Sequence, residues 1–195
     1  MNTVTVLVAY ASKHGATRQI AERIAATLTA SGQPAVAQPV ETVDEVAGYN
    51  AFVIGGAAYY GHWLKPVTKF VRAHTFALAD RPVWLFSSGP LSTGTTDAQG
   101  RDLREAATPK ELDELREATG ARGHRVFFGA LAPDGLTLPE RAVRRLPAGG
   151  DLLPEGDFRD WEDIDVWARG IARELRSPGA SVDPARDSPA SGASP

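Results

Sequence analysis

The sequence contains no cysteine. That single absence excludes disulfides, thiolate metal ligands, iron–sulfur ligation and a cysteine nucleophile. A charge excess of either sign is also missing: 21 Lys and Arg stand against 24 Asp and Glu, for a formal net charge of −3. A nucleic-acid surface needs clustered Lys and Arg, and no such cluster occurs, so no nucleic-acid partner is expected. Long apolar runs are absent, since no stretch approaches the roughly 18 uninterrupted apolar residues of a membrane span. Met1-Asn2-Thr3 leads directly into Val4-Thr5-Val6-Leu7-Val8-Ala9. A secretory leader would show a basic region, an apolar core and a small-residue cleavage site instead. The expectation is a soluble, cytoplasmic protein with no transmembrane segment and no internal repeat.

What is present suits one globular core: 43% of the 195 residues are apolar, enough for a single domain. Val4 to Tyr10 is a short apolar run rich in β-branched residues, the pattern of a strand buried on both faces. Thr17 to Leu28 carries Ile20, Ile24, Ala25 and Leu28 at helical spacing, with Gly32 as a stop signal. Ala35 to Val40 reads as a weaker strand whose Pro39 suits an edge or an end. Ala51-Phe52-Val53-Ile54-Gly55-Gly56 is the next buried strand, ending on its two glycines.

A helix is expected over Lys65 to His74, with Val67, Phe70 and Val71 in register and Pro66 in the first turn. Arg81 to Gly89 is a fourth strand, Pro109 to Gly120 a helix, and Arg125 to Ala130 a fifth strand. The last helix opens at Asp160, a plausible N-cap with an acidic first turn behind it. Trp161, Ile164, Trp167, Ile171 and Leu175 share one face of that helix, a core stripe rather than a ligand site. Two stretches, 91–108 and 132–158, carry no regular signal. Residues 1–176 therefore read as one domain, and 177–195 as a disordered tail too poor in apolar residues to repay its ordering.

Alternating strands and helices imply parallel βαβ units with right-handed crossovers. Five strands suit a doubly wound parallel sheet of order 2-1-3-4-5, in which ligands bind beyond the strands' carboxyl ends at the switch point. The residues following Tyr10, Gly56 and Ser87 are then the ones to inspect.

The first end gives Ser12-Lys13-His14-Gly15-Ala16-Thr17. Small and hydroxylated residues at a helix start aim backbone N–H groups at one anion, and the helix dipole favours negative charge there. Gly15 permits backbone that a side chain would hinder. A phosphate monoester suits this turn; so does plain capping by Ser and Thr. The G-x-G-x-x-G and G-x-x-x-x-G-K-[ST] phosphate motifs are both missing. The acidic cluster and carboxylate of a phospho-accepting receiver are missing too. His14 is either a cation beside the anion, which favours its protonated form, or an exposed turn residue.

The second end gives Gly56-Ala57-Ala58-Tyr59-Tyr60-Gly61-His62-Trp63, with four rings in five positions. Exposed aromatics are costly unless they cover something flat. Tyr59 or Tyr60 is expected against a planar ring, Trp63 in the core, and His62 at the surface or facing a substrate. The third end gives Ser87-Ser88-Gly89-Pro90-Leu91, whose small residues allow close backbone approach.

On these three loops the chain resembles the flavodoxin family over roughly residues 3–176. Ser12-Lys13-His14-Gly15-Ala16-Thr17 is similar to its phosphate loop, Gly56-Ala57-Ala58-Tyr59-Tyr60-Gly61 to the loop flanking the isoalloxazine, and Ser87-Ser88-Gly89-Pro90-Leu91 to its second flavin loop. A narrower resemblance rests on Tyr10 to Thr17, Gly61-His62-Trp63 and the ending Gly156-Asp157-Phe158-Arg159-Asp160-Trp161. These are similar to the flavodoxin-domain group that includes menaquinone-dependent protoporphyrinogen oxidase.

The resemblance implies a flavodoxin-like fold, bound flavin mononucleotide (FMN) and two-electron oxidation chemistry. It implies Ser12, Lys13, His14, Gly15, Ala16 and Thr17 at the phosphate. It further implies Ala57, Ala58, Tyr59, Tyr60, Gly61, Ser88, Gly89, Pro90 and Leu91 around the ring and ribityl chain. The partners it implies are a quinone or a redox protein, with a porphyrinogen as small-molecule substrate. Two alternatives stand beside this: an electron carrier with no substrate of its own, and a flavin-free interaction domain. No catalytic residue and no metal ligand is assigned, and the oligomeric state is left open.

Overall fold

A computed structural model describes residues 5–132 other than Ala98, residues 136 and 142, and residues 154–177. The expected tail, apart from Ser177, lies outside them, as does most of the stretch 132–158.

The first strand β1 (Val6–Ala11) is buried along its whole length. Its side chains alternate between two separate cores. Val6, Val8 and Tyr10 pack on one face with Ile20, Ile24 and Leu28 of α1 (Ala16–Ala30) and with Ile164, Ala168 and Ile171 of the last helix, α6 (Trp161–Arg176). Leu7, Ala9 and Ala11 pack on the other face with Val67, Phe70 and Val71 of α2 (Lys65–Ala73), Leu78 of α3 (Thr75–Ala79), and Leu112 and Leu115 of α5 (Leu112–Thr119). Each such Ile, Leu or Phe contributes roughly 1.5–3 kcal/mol when fully buried. This two-sided burial is why the strand sequences read as apolar runs rather than alternating ones.

The strands β2 (Ala35–Pro39), β3 (Ala51–Tyr59), β5 (Val83–Ser88) and β6 (Gly123–Phe127) join β1 in the spatial order β2-β1-β3-β5-β6. All four ladders along this path are parallel. The expected order 2-1-3-4-5 is thus present, once the hairpin strand β4 (His62–Trp63), which pairs with β3, is set aside. Pro39 ends β2 at the sheet edge, where its missing N–H breaks no ladder.

Three elements differ from the sequence expectation. First, β3 does not stop at its two glycines but runs on to Tyr59, then turns back antiparallel as β4 (His62–Trp63). The glycines serve packing instead. A Cβ on Gly55 would lie 2.4 Å from Cδ1 of Phe86, and one on Gly56 2.7 Å from Cγ2 of Val67. The hairpin tip is Tyr60-Gly61, with φ of +52° and +75°, a two-residue turn whose left-handed backbone matches the strand twist. Second, the 91–108 stretch contains a one-turn helix, α4 (Leu103–Ala106), capped by Asp102, which accepts from the N–H groups of Arg104 and Glu105. Third, β6 stops at Phe127, and β7 (Ala130–Leu131) then pairs antiparallel with β8 (Gly156–Asp157).

The helix α6 starts as expected at Asp160, whose side chain accepts from the Asp163 N–H. It is held to α1 by more than apolar contact. Arg23 donates through Nε (2.7 Å) and Nη2 (2.5 Å) to the buried Asp165 carboxylate, and Thr27 adds a third bond at 2.7 Å. The hydrogen bonds from Arg23 hold the Asp165 carboxyl below its ordinary range.

Candidate functional site

The carboxyl ends of β1, β3, β5 and β6 meet at one cleft. It is lined by Ser12, Lys13, His14, Ala16 and Thr17 after β1, Ala57, Ala58 and Tyr59 at the end of β3, Ser88, Gly89 and Leu91 after β5, and Gly129, Ala130 and Leu131 after β6. The cleft has a cavity volume of about 60 Å³ and is partly open to solvent.

The turn after β1 leads directly into α1. Ser12 Oγ accepts from the Gly15 N–H at 3.0 Å, closing a tight turn. Gly15, at φ +86°, reverses the chain into α1, and no side chain caps the first turn of that helix. A 15-residue helix therefore presents its uncapped first N–H groups, and the positive end of its dipole, at the cleft. Thr17 is buried, and its Oγ1 lies 2.7 Å from Ser88 Oγ. This hydroxyl pair ties the first loop to the third across the cleft floor.

The aromatic segment separates into four distinct roles. Tyr59 lines the cleft, with its ring edge-on to His14 at 6.4 Å and Lys13 Nζ 5.7 Å from its centroid. Tyr60 is 99% exposed at the hairpin tip. His62 turns outward, with its Nδ1 2.7 Å from Oε1 of Glu111. Burial opposes the charge on Glu111, but the bond from His62 prevails and holds that carboxyl below its ordinary value.

Trp63 is buried on the opposite face, where its Nε1–H donates to Ser87 Oγ at 2.8 Å. Ser87 Oγ in turn lies 2.9 Å from Nε2 of His124. Burial pushes the His124 imidazole down to about 4. The ring is thus neutral at pH 7, and Nε2 accepts from the Ser87 hydroxyl in the arrangement that satisfies all three groups.

Of the residues singled out by sequence, Ser12, Lys13, His14, Ala16, Thr17, Ala57, Ala58, Tyr59, Ser88, Gly89 and Leu91 come together around the cleft. Gly15, Tyr60, Gly61 and Pro90 do not line it. Gly15 shapes the turn from behind, Gly61 forms the hairpin tip, and Pro90 O accepts from the Gly129 N–H at 2.9 Å. The wall 129–131 was missed. Its one signal was positional: β6 neighbours β5, so its end had to open on the same crevice. A Cβ on Gly129 would stand 3.2 Å from Leu91 Cδ2, so this glycine lets the fourth wall close against the third loop.

Among the described residues no group of three or more His, Asp or Glu is placed to hold a metal ion. None of the described helices is long and apolar enough to cross a membrane.

An open, doubly wound parallel sheet with a helix start at its switch point defines an α/β protein of the class that binds ligands beyond the strands' carboxyl ends. The chain matches the flavodoxin domain family over residues 7–147, and it belongs to that family. It is 30% identical over 181 residues to the protoporphyrinogen IX dehydrogenase (quinone) of Escherichia coli, covering 88% of this chain and 97% of that protein. Among solved structures, a flavodoxin from the Archaea superposes with a TM-score of 0.58 at 15% identity, covering 89% of this chain and 99% of the other. The rubredoxin oxygen:oxidoreductase of Desulfovibrio gigas superposes with a TM-score of 0.58 at 14% identity, over 91% of this chain but only 37% of its own.

Proposed function

We propose that this protein binds FMN in the cleft and is an oxidoreductase that passes electrons from a porphyrinogen to a quinone. The observation that carries the cofactor half is the uncapped start of α1 beside Ser12 and Thr17, at the shared ends of β1, β3 and β5. The residues fit the group. The α1 start offers N–H donors beside the hydroxyls of Ser12 and Thr17, a donor set that suits a phosphate. The small residues Ala57, Ala58 and Gly89 leave the open part of the cleft accessible to a planar ring, with Tyr59 as the one aromatic wall.

Bound FMN would supply the two-electron redox chemistry. The chain's own part is binding and orientation. Ser12, His14, Ala16 and Thr17 would hold the phosphate, with Gly15 shaping the turn and Lys13 adding positive charge. The segments 57–59, 88–89 and Leu91 would border the ribityl chain and the ring.

The substrate half rests on the E. coli relative, which matches along 97% of its length. The test is a flavin absorbance spectrum of the purified protein, followed by protoporphyrinogen turnover with a menaquinone analogue as acceptor. A yellow protein that turns over the porphyrinogen only with quinone present is expected. A colourless protein that takes up no FMN at micromolar concentration overturns the cofactor half. Bound flavin without porphyrinogen turnover overturns the substrate half and leaves an electron carrier.

A further inference from the structure

The segment Gly156-Asp157-Phe158-Arg159 lies far along the chain from the phosphate loop, yet it is fastened to both sides of the cleft. Its anchor is Arg159, whose side chain is only 7% exposed. Nε and Nη2 grip the two oxygens of Asp157 at 2.7 Å each, a bidentate fork. Nη1 donates to Oε1 of Gln19 at 2.5 Å. The guanidinium also stacks over Trp161, 4.4 Å from the ring centroid.

Each partner leads to the cleft. Gln19 sits in the first turn of α1, two residues beyond Thr17. Asp157 belongs to β8, which pairs Ala130 with Asp157 and Leu131 with Gly156, and the Phe158 N–H donates to Gly129 O at 3.1 Å. Gly129, Ala130 and Leu131 are the fourth wall. A buried arginine held by one carboxylate and one amide therefore bridges the helix start to that wall. The bridge has a fixed span, because a guanidinium is planar and its donors diverge at set angles.

We propose that Arg159 is a positioning residue for the cleft: through Gln19 and β8 it sets the distance between the α1 start and the Gly129–Leu131 wall, and so the affinity for the mononucleotide. This rests on the FMN reading above. A tie between α1 and α6, Arg23–Asp165–Thr27, reaches no cleft residue and is the internal control.

The experiment compares Arg159→Met, Arg159→Lys, Gln19→Ala and Asp165→Asn with the wild type. It measures FMN dissociation constants by quenching of flavin fluorescence, melting temperatures, and amide hydrogen exchange of the flavin-free proteins. Arg159→Met is expected to weaken FMN about tenfold, as loss of charge-assisted hydrogen bonds would. Arg159→Lys, which keeps the charge but not the fork, is expected to recover part of that loss, and Gln19→Ala to weaken FMN about threefold.

Exchange at Ala130, Leu131 and Phe158 should accelerate in Arg159→Met with no flavin present. Asp165→Asn should lower the melting temperature yet leave the FMN constant within about twofold of wild type. Equal FMN constants in Arg159→Met and wild type, or unchanged exchange at the wall, overturn the proposal. So does a loss of affinity in Asp165→Asn as large as in Arg159→Met. A wild type that binds no FMN while exchange at the wall still responds to Arg159→Met overturns the cofactor reading and leaves the bridge itself standing. Where Arg159→Met fails to fold, the exposed Gln19→Ala decides by the same criteria.

Discussion

Ser87 and Ser88 are neighbours at the end of β5, both buried, and they belong to different halves of the molecule. Ser87 faces the α2 and α5 side, where it links Trp63 to the neutral His124. Ser88 faces the α1 side, where it meets Thr17 on the cleft floor. The strand's alternation assigns one serine to holding the fold and the other to the site. The lesson is that a site residue here is defined by the face it occupies, and a shift of one position exchanges the two roles.

That contrast can be broken deliberately. The largest effect is expected on the Ser87 face. Trp63→Ala removes a buried indole and should destabilise the fold by roughly 3–5 kcal/mol in urea unfolding. Ser87→Ala strands the Trp63 donor and the His124 acceptor, and should cost about 1–3 kcal/mol while FMN affinity stays unchanged in titration. On the other face the order of effects reverses. Ser12→Ala combined with Thr17→Ala should weaken FMN binding by about 1–3 kcal/mol, read by calorimetry, with a smaller change in stability.

Acid should sharpen the same division. His124 is held neutral down to about pH 4, whereas the unfolded chain protonates it near its ordinary value of 6.5. The unfolded state thus binds the extra proton first. The stability contributed is present above pH 6.5 and is lost as pH falls toward 4, at roughly 1 kcal/mol per unit. His124→Gln should flatten that slope in denaturant titrations at stepped pH. The smallest effect is Ser88→Ala, which leaves Thr17 Oγ1 without its partner and should cost about 0.5–1.5 kcal/mol, with a few-fold loss of FMN affinity.

Most of the sheet was legible because its strands are buried on both faces and its helices carry single apolar stripes, such as Ile20, Ile24 and Leu28. The βαβ alternation pointed to parallel pairing, and five strands suited the order 2-1-3-4-5, which the ladders themselves establish. The three loops of the site were legible as the ends of those strands. What escaped sequence reading was short or non-local. The two-residue ladder of β7 and β8 has no period to detect, and its partners lie far apart in the chain. Gly55 and Gly56 looked like a strand end because glycine usually punctuates, but here it makes room for Phe86 and Val67. The division of labour among Tyr59, Tyr60, His62 and Trp63 depended on a hairpin whose tip carries a tyrosine with positive φ, which residue type alone does not announce.

The β7–β8 ladder has a consequence for how this chain can change over time. Leu131 and Gly156 are paired partners, so the two ends of the chain between them are held together by one short ladder. Lengthening such an excursion costs little, about 0.6 kcal/mol for each doubling, because its ends are already joined. The ladder acts as a clasp: it closes that interval of chain as a pair of its own, outside the hydrogen-bonded ladders of the main sheet.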